Sequence, residues 1–294
     1  MSNGYPAMAR WLMRRLPGRP LRRLVWSSVR RREFDFETAL RFGGTIRGNT
    51  CDLIQRHLYF FGVWEPSTTA WVRGRLSPGD TFVDVGANIG YYTLLGANAV
   101  GPQGHVVAIE AYPAIFARLE ETVALNELRN VRLCNVAATD EARELPIYFG
   151  GEDNSGSSSI VDKPTDDARS IVVRGLPLQA ILTRDERRRV RLIKIDVEGA
   201  EREVIAGLEL GSGEYRADIE LIVEITPERW ADGGDSGSLL GELRAIGYNA
   251  YRLDDPHSFR RYLPDQPTLR PVRLREPVRT YATLVFSRVD ADSL

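Results

Sequence analysis

Thr81-Phe82-Val83-Asp84-Val85-Gly86-Ala87-Asn88-Ile89-Gly90 is the stretch that decides the fold. Its first five residues form a short apolar strand, introduced by the turn Ser77-Pro78-Gly79-Asp80. Two glycines then open an apolar helix that continues through about Val100. Gly86 permits a tight turn and a close backbone approach, and Gly90 lets the helix begin near the sheet. The spacing is not the dinucleotide fingerprint G-x-G-x-x-G, because Ala87 and Asn88 fill the interval after Gly86.

Working outward, the same alternation repeats. Residues 105–109 read as a second strand, 113–126 as a helix with Pro113 in its first turn, and 131–138 as a third strand. Residues 145–171, rich in Gly, Ser and Asp, read as a surface excursion with one or two short strands. Residues 176–189 are expected to be helical, 190–197 a strand, 200–210 a helix, 219–225 a fifth strand and 238–246 a helix. Two more strands, 250–253 and 280–288, flank a Pro- and Arg-rich connector. Strands alternating with helices of this length imply βαβ units and a doubly wound, mostly parallel sheet. In such a sheet the ligand lies beyond the carboxyl ends of the strands at the switch point, so the residues just after each strand matter.

Those positions are carboxylate-rich. Asp84 sits two residues before Gly86; an acid there would repel a diphosphate but suits a ligand bearing an amino-acid ammonium, such as S-adenosylmethionine. Glu110 ends the second strand, where a carboxylate can accept both ribose hydroxyls. Asp196 and Glu198 end the fourth strand, Glu224 lies near the end of the fifth, and Glu201 reads as a helix-capping charge. Lys194, one of only two lysines with Lys163, is placed mid-strand and needs an acid partner.

Upstream, charge is segregated. Residues 1–32 hold nine arginines and no acid, which leaves 30 of the 39 basic residues against all 40 acidic ones in the remainder, a net charge of −10. A body that acidic is a poor platform for phosphate backbones, so no nucleic-acid partner is expected of it. The arm, residues 1–32, reads as two short helical pieces around Pro17-Gly18-Arg19-Pro20, with Leu21, Leu24, Val25 and Val29 at helical spacing. It suits either an anionic surface or partner, including a second copy, or packing on its own domain. Residues 33–78 form a mixed cover and residues 79–294 the ligand-binding domain. No apolar run reaches the ~20 residues of a membrane span, and arginines interrupt any signal-peptide core. Cys51 and Cys134 are expected to be reduced thiols in a cytoplasmic protein.

The segments Asp84-Val-Gly-Ala-Asn-Ile-Gly90, Glu110, Ile193-Lys-Ile-Asp-Val-Glu-Gly-Ala-Glu201 and Ile222-Val-Glu-Ile225 resemble the FkbM-type methyltransferases. So do Gly62-Val-Trp-Glu65-Pro, Asn154-Ser-Gly-Ser-Ser158 and Leu176-Pro-Leu178, and together the blocks span roughly residues 50–226. The resemblance implies a class I methyltransferase fold, Rossmann-like and α/β, with a mostly parallel seven-stranded sheet, an antiparallel last strand and here an N-terminal helical cover. It also implies methyl transfer from S-adenosyl-L-methionine to an oxygen of a small metabolite, sugar or polyketide. The expected cofactor contacts are Glu65, Asp84, Gly86, Asn88, Gly90, Glu110, Ala138 and Asp196. Gln179 departs from the pattern, since similar proteins carry an acid after the residue matching Leu178.

An alcohol acceptor benefits from a base, and Asp196, Glu198 and Glu224 are the candidate catalytic carboxylates, with His57 of the cover as a further candidate whose commoner reading is a packing or surface histidine. A carboxylate acceptor, on an acid or a peptide, would instead draw on cations such as Arg260, Arg261, Arg270, Arg273, Arg275 and Arg279. No H-x-E, C-x-x-C or dense Asp/His cluster suggests a metal, although Asp196 and acceptor oxygens could share a Mg²⁺. The competing readings are a non-catalytic adenosyl-ligand binder and, against the glycine spacing, a nicotinamide-dependent oxidoreductase.

Overall fold

The computed structural model describes residues 4–15, 19–29, 32–149, 169–230, 234–255, 259–262 and 267–294. The block Asn154–Ser158, Lys163 and His257 lie outside the described residues. Two helices, α1 (Gly4–Arg15) and α2 (Arg19–Val29), precede a hairpin of β1 (Asp35–Ala39) and β2 (Thr45–Asn49). Helices α3 (Leu53–Phe61) and α4 (Pro66–Arg75) complete the cover. The alternating domain begins with β3 (Thr81–Val85), α5 (Tyr91–Val100), β4 (His105–Ile109), α6 (Pro113–Leu125) and β5 (Val131–Cys134). Three further strands follow, β6 (Ala137–Thr139), β7 (Arg143–Phe149) and β8 (Arg169–Pro177). Then come α7 (Leu178–Ile181), α8 (Arg184–Arg189), β9 (Val190–Ile195), α9 (Glu201–Ala206) and β10 (Glu220–Ile225). The chain closes with α10 (Gly237–Ala245), β11 (Asn249–Arg252), β12 (Val272–Arg273) and β13 (Ala282–Ser287).

The central sheet has the order β12-β11-β13-β10-β9-β3-β4-β5. Strands β5, β4, β3, β9 and β10 run parallel, and β13 is inserted antiparallel between β10 and β11. The expected seven strands are present, and the two-residue β12 adds an eighth at the edge. Every residue of β3 and β10 is buried, Asp84 and Glu224 included, so neither strand alternates between buried and exposed positions. Strand order reverses between β3 and β9, so the crevice opens above that pair.

Two glycines set how closely the elements approach. A Cβ at Gly96 of α5 would stand 2.2 Å from the ring of Phe82, so this helix lies directly on β3. At Gly86, with φ +79, a Cβ would stand 1.8 Å from the carbonyl oxygen of Asp196. The turn after β3 is thus pressed against the end of β9, and the need for glycine comes from the protein's own backbone.

The structure departs from the sequence reading in two places. The expected strand 131–138 splits, because Asn135 turns the chain by donating from Nδ2 to the carbonyls of Glu110 at 2.8 Å and Ala111 at 3.2 Å. Beyond it, β6 leaves the main sheet and joins β8 and β7 in a three-stranded sheet of its own. Residues 176 and 177, expected to start a helix, end β8, and the helix is broken into α7 and α8, the latter opened by a Thr183–Glu186 capping box.

The arm is helical and packs on its own cover. Ala9 and Met13 of α1 are buried, and the Arg10 guanidinium lies 5.2 Å over the Tyr59 ring. Trp26 of α2 sits 5.2 to 5.6 Å from the rings of His57, Phe60 and Phe61. Among the described residues no helix is long and apolar enough to cross a membrane.

Replacing Gly86 by alanine should lower the unfolding free energy by roughly 3 kcal/mol or more, because strain at positive φ adds to a backbone clash. Denaturant unfolding checks this; a change under about 1 kcal/mol would mean that the turn relaxes freely.

Candidate active site

A cleft of about 970 Å³, counted out to its open mouth, lies at the carboxyl ends of β3, β4, β9 and β10. Gly86, Asn88, Glu110, Ala138, Asp196, Glu198, Glu224 and Glu65 all line it, joined by Ile54, Trp64, Val136, Ile147 and Tyr281. Eight of the expected site residues therefore converge, although they come from six separate segments of the chain.

One half of the cleft is built on the turn after β3. The amides of Gly86 and Ala87 both donate to the carbonyl of Ile109, at 2.9 and 3.0 Å, which holds the turn against the end of β4. Asn88 adopts a positive φ of 49° and stays in it because its own Oδ1 accepts from the Ile89 amide at 2.7 Å. Glu110 accepts from the Asn88 amide through Oε2 and from the Tyr112 amide through Oε1, both at 2.9 Å. Burial pushes the Glu110 carboxyl up to about 7, against the pull of those two amides.

Three expected contacts fall elsewhere. Asp84 is wholly buried beneath the turn, its Oδ2 accepting from Thr93 Oγ1 of α5 at 2.7 Å. Its side chain does not line the cleft, because strand alternation turns it toward the helix, and burial raises its carboxyl to about 6. Gly90 also stays out of the cleft: its missing Cβ makes room for Leu119 of α6, which would lie 2.8 Å away. His57 is corrected outright. It is buried among Trp26, Phe61, Trp64 and Tyr262, with Nδ1 2.8 Å from the Leu53 carbonyl, and is absent from the cleft wall.

Beneath the other half of the cleft lies the Lys194 ammonium, 1% exposed. Its Nζ is 2.9 Å from Asp196 Oδ2 and 3.1 Å from Glu224 Oε1, and it stands 4.6 Å from the centre of the Tyr92 ring. The expected acid partner is therefore two. Burial opposes the charge on Lys194, but Asp196, Glu224, Glu65 and Asp84 together hold its pKa above the ordinary range. Glu224 is itself driven well above the usual carboxyl range, first by burial and then by Asp196 and Glu65. Its Oε2 accepts from the Tyr281 hydroxyl at 2.9 Å. Glu65, at a left-handed φ of 41°, accepts from the Tyr92 hydroxyl at 2.6 Å.

At the cleft rim Glu198 also has a positive φ, 53°, and pairs with Arg229. Burial and the neighbouring Asp196 push its carboxyl up to about 7. Glu201 does more than cap α9. Its Oε1 accepts from the Gly199 amide at 2.6 Å and from Thr226 Oγ1 at 3.2 Å, and its Oε2 from Trp230 Nε1 at 2.8 Å, so it ties β9 to β10. Sequence reasoning missed Tyr281 and Arg229, which lie outside any motif, and Tyr92, which reads as part of an apolar helix. Arg273 and Arg275 of the connector pair with Asp290 and Asp292, and Arg261 donates to Ser67 Oγ at 2.8 Å; none of them lines the cleft. Gln179 is likewise outside it, with its amide bonded to the Gly207 carbonyl at 2.9 Å. Among the described residues no group of three or more His, Cys, Asp or Glu is placed to hold a metal ion.

The sequence profile of the Methyltransferase FkbM domain matches residues 84–252, more than half of the chain. The chain belongs to this family. Within the FkbM family, it is similar to 31-O-demethyl-FK506 methyltransferase FkbM of Streptomyces tacrolimicus, 27% identical over 208 residues that cover 62% of this chain and 77% of that protein. It is also similar to Methyltransferase 1 of Beauveria bassiana, 30% identical over 150 residues that cover 45% of this chain and 60% of the other. The chain spans less than two thirds of the length of two of the curated relatives it matches, 14% of one and 60% of the other. Among solved structures it matches a putative rRNA methylase from Clostridium thermocellum at 11% identity, with a TM-score of 0.46, covering 76% of this chain and 95% of that one.

Lys194→Met should destabilise this FkbM-family chain by about 3–5 kcal/mol, the cost of leaving buried carboxylates without their counter-charge. The loss should shrink at lower pH, since Glu224 and Asp84 favour the protonated form and then need no partner. Unfolding curves at pH 5 and pH 8 test both the size and the sign.

Proposed function

We propose that the chain is an S-adenosyl-L-methionine-dependent O-methyltransferase acting on a hydroxyl of a small metabolite, in the reducing cytoplasm where Cys51 and Cys134 stay as thiols. The observation that carries the hydroxyl assignment is the sign of the cleft wall. Its acceptor end presents Asp196, Glu198, Glu224 and the Tyr281 hydroxyl, while Lys194 and Arg229 are each matched by carboxylates of the same wall. A carboxylate acceptor, whether a free acid or a peptide side chain, would meet like charge there. A neutral hydroxyl would find acceptors for its proton. The Streptomyces relative, whose name describes methylation of an oxygen, points the same way.

The residues present fit the cofactor. Glu110 faces the cleft from the end of β4 with a carboxylate that can take the ribose hydroxyls. Asn88, Ala138 and the apolar Ile115 and Val136 flank the same half, and Glu65 and Asp196 supply negative charge toward the other. When bound, the cofactor supplies an electrophilic methyl on a sulfonium. The protein's part is alignment and proton removal. Asp196, fixed by Lys194, orients the acceptor. Glu198, raised to about 7, is matched to accept a proton near neutral pH. Asp84 serves from below the floor, as counter-charge to Lys194.

Calorimetry should give binding of S-adenosylhomocysteine and none of NAD; the reverse result defeats the reading. Glu110→Ala should weaken that binding by about 1–3 kcal/mol. Because the ionised Glu110 carboxylate is the better acceptor, affinity should climb as pH rises through about 7 and then level off, and Glu110→Gln should lose that step.

Turnover is assayed by transfer of labelled methyl from the cofactor into hydroxylated acceptors drawn from extracts. Asp196→Asn and Glu198→Gln should each lower it by roughly 10²–10⁴-fold, with adenosylhomocysteine affinity kept in Glu198→Gln, while a loss of affinity in Asp196→Asn would mark that residue as a cofactor contact instead of an acceptor-orienting group. Activity should rise with pH through about 7 in the parent protein and lose that rise in Glu198→Gln. Cofactor binding with no methyl transfer to any acceptor would favour a non-catalytic adenosyl-ligand binder.

A further inference from the structure

Exposed apolar residues and arginines share the outer side of α1 and α2. Where α1 turns Ala9 and Met13 inward, its other side exposes Met8 at 51% and Trp11 at 53%. On α2, Val25 and Trp26 pack against the core while Leu21 and Leu24 stand 50% and 70% exposed. Each exposed pair is spaced three residues apart and so shares one helix face. Leu53 at the start of α3, a helix that α1 packs on, is a further exposed apolar residue at 46%. Isolated exposed leucines need no explanation, but a tryptophan, a methionine and three leucines gathered on three consecutive helices do.

The charge around them is of one sign. Exposed Arg15 lies 5.2 Å over the Trp11 ring, Arg23 is exposed between Leu21 and Leu24, and residues 1–32 carry nine arginines without an acid. Apolar side chains with an aromatic at their edge, interleaved with arginine, are the composition of a helix that lies in a bilayer interface. From this we infer that the α1–α2 hairpin docks the protein on an anionic lipid bilayer, with Trp11, Leu21 and Leu24 entering the headgroup boundary and the arginines meeting lipid phosphates. A second copy of the chain fits this face poorly, since two such arms would bring arginine against arginine with no acid between them. RNA would use the arginines but leave the leucines in water, and it would face a body of net charge −10. The docking does not depend on what the cleft does.

Flotation of the full chain with vesicles tests the inference. Vesicles made from an equal mixture of phosphatidylcholine and phosphatidylglycerol should carry the protein, phosphatidylcholine alone should not, and added salt should release it. Trp11→Ser with Leu24→Ser should lower the partition coefficient about tenfold or more. Arg15→Glu with Arg23→Glu should lower it at least as much. Both pairs should keep the parent's melting midpoint and adenosylhomocysteine affinity, since these residues are exposed and away from the cleft. Failure of the parent protein to float with anionic vesicles would overturn the inference. So would binding to single-stranded RNA, or dimerisation in ultracentrifugation, if either is lost in these variants while vesicles are ignored.

Discussion

The ammonium of Lys194 has to be neutralised inside the sheet, and much of the site is arranged around that requirement. An unpaired charge at this depth would cost several kcal/mol. The carboxylates that prevent it come from three strands and from the cover: Asp196 just past β9, Glu224 on β10, Asp84 on β3 and Glu65 at the start of α4. Register makes the arrangement hold, since Asp84 and Ile222 lie directly beside Lys194 on the neighbouring strands. Electrostatics thus ties together the segments that meet at the switch point, and Tyr92 seals the group by covering Lys194 and donating to Glu65.

Four carboxylates surround one ammonium, and burial shifts two of them toward the protonated form. Burial lifts Asp84 to about 6 and Glu224 well beyond the ordinary carboxyl range. Glu224 is held between the Lys194 ammonium on Oε1 and the Tyr281 hydroxyl on Oε2, so the floor of the cleft is polar on both sides of it. Glu198, at the rim and raised to about 7, is the member whose ionisation falls within the working range of a cell.

How much of this was legible depends on whether a residue's signal was local. The strand order and the switch point followed from alternating apolar runs, and Glu110, Asp196 and Glu198 followed from lying just past a strand end. Glu224 was legible as the fifth residue of the six-residue β10, close to the strand's carboxyl end. Asp84 was placed one layer too high. Strand alternation could have said that its side chain faces α5, but the acid before a glycine turn was read for its chemistry instead. His57 takes the packing alternative of its two readings. It lies in Leu53–Phe61, an aromatic-rich helix, and that composition signals packing more strongly than a lone imidazole signals catalysis. Tyr281 and Arg229 were not legible at all, since what brings them to the cleft is the antiparallel return of β13 and the turn after β10.

Helix α3 is where the body and the arm meet, and its side chains divide three ways. His57 and Phe60 face the aromatic core with Trp26 of the arm, Ile54 reaches the cleft wall, and Leu53 is left exposed. The helix is anchored at its start by Asp52, whose side chain accepts from the Gln55 amide at 2.9 Å, and at its end by the left-handed Gly62. Gly62 leads directly into Trp64 and Glu65, both in the cleft wall. The basic arm and the acidic cleft are opposite in charge, yet both are built against the same nine-residue helix.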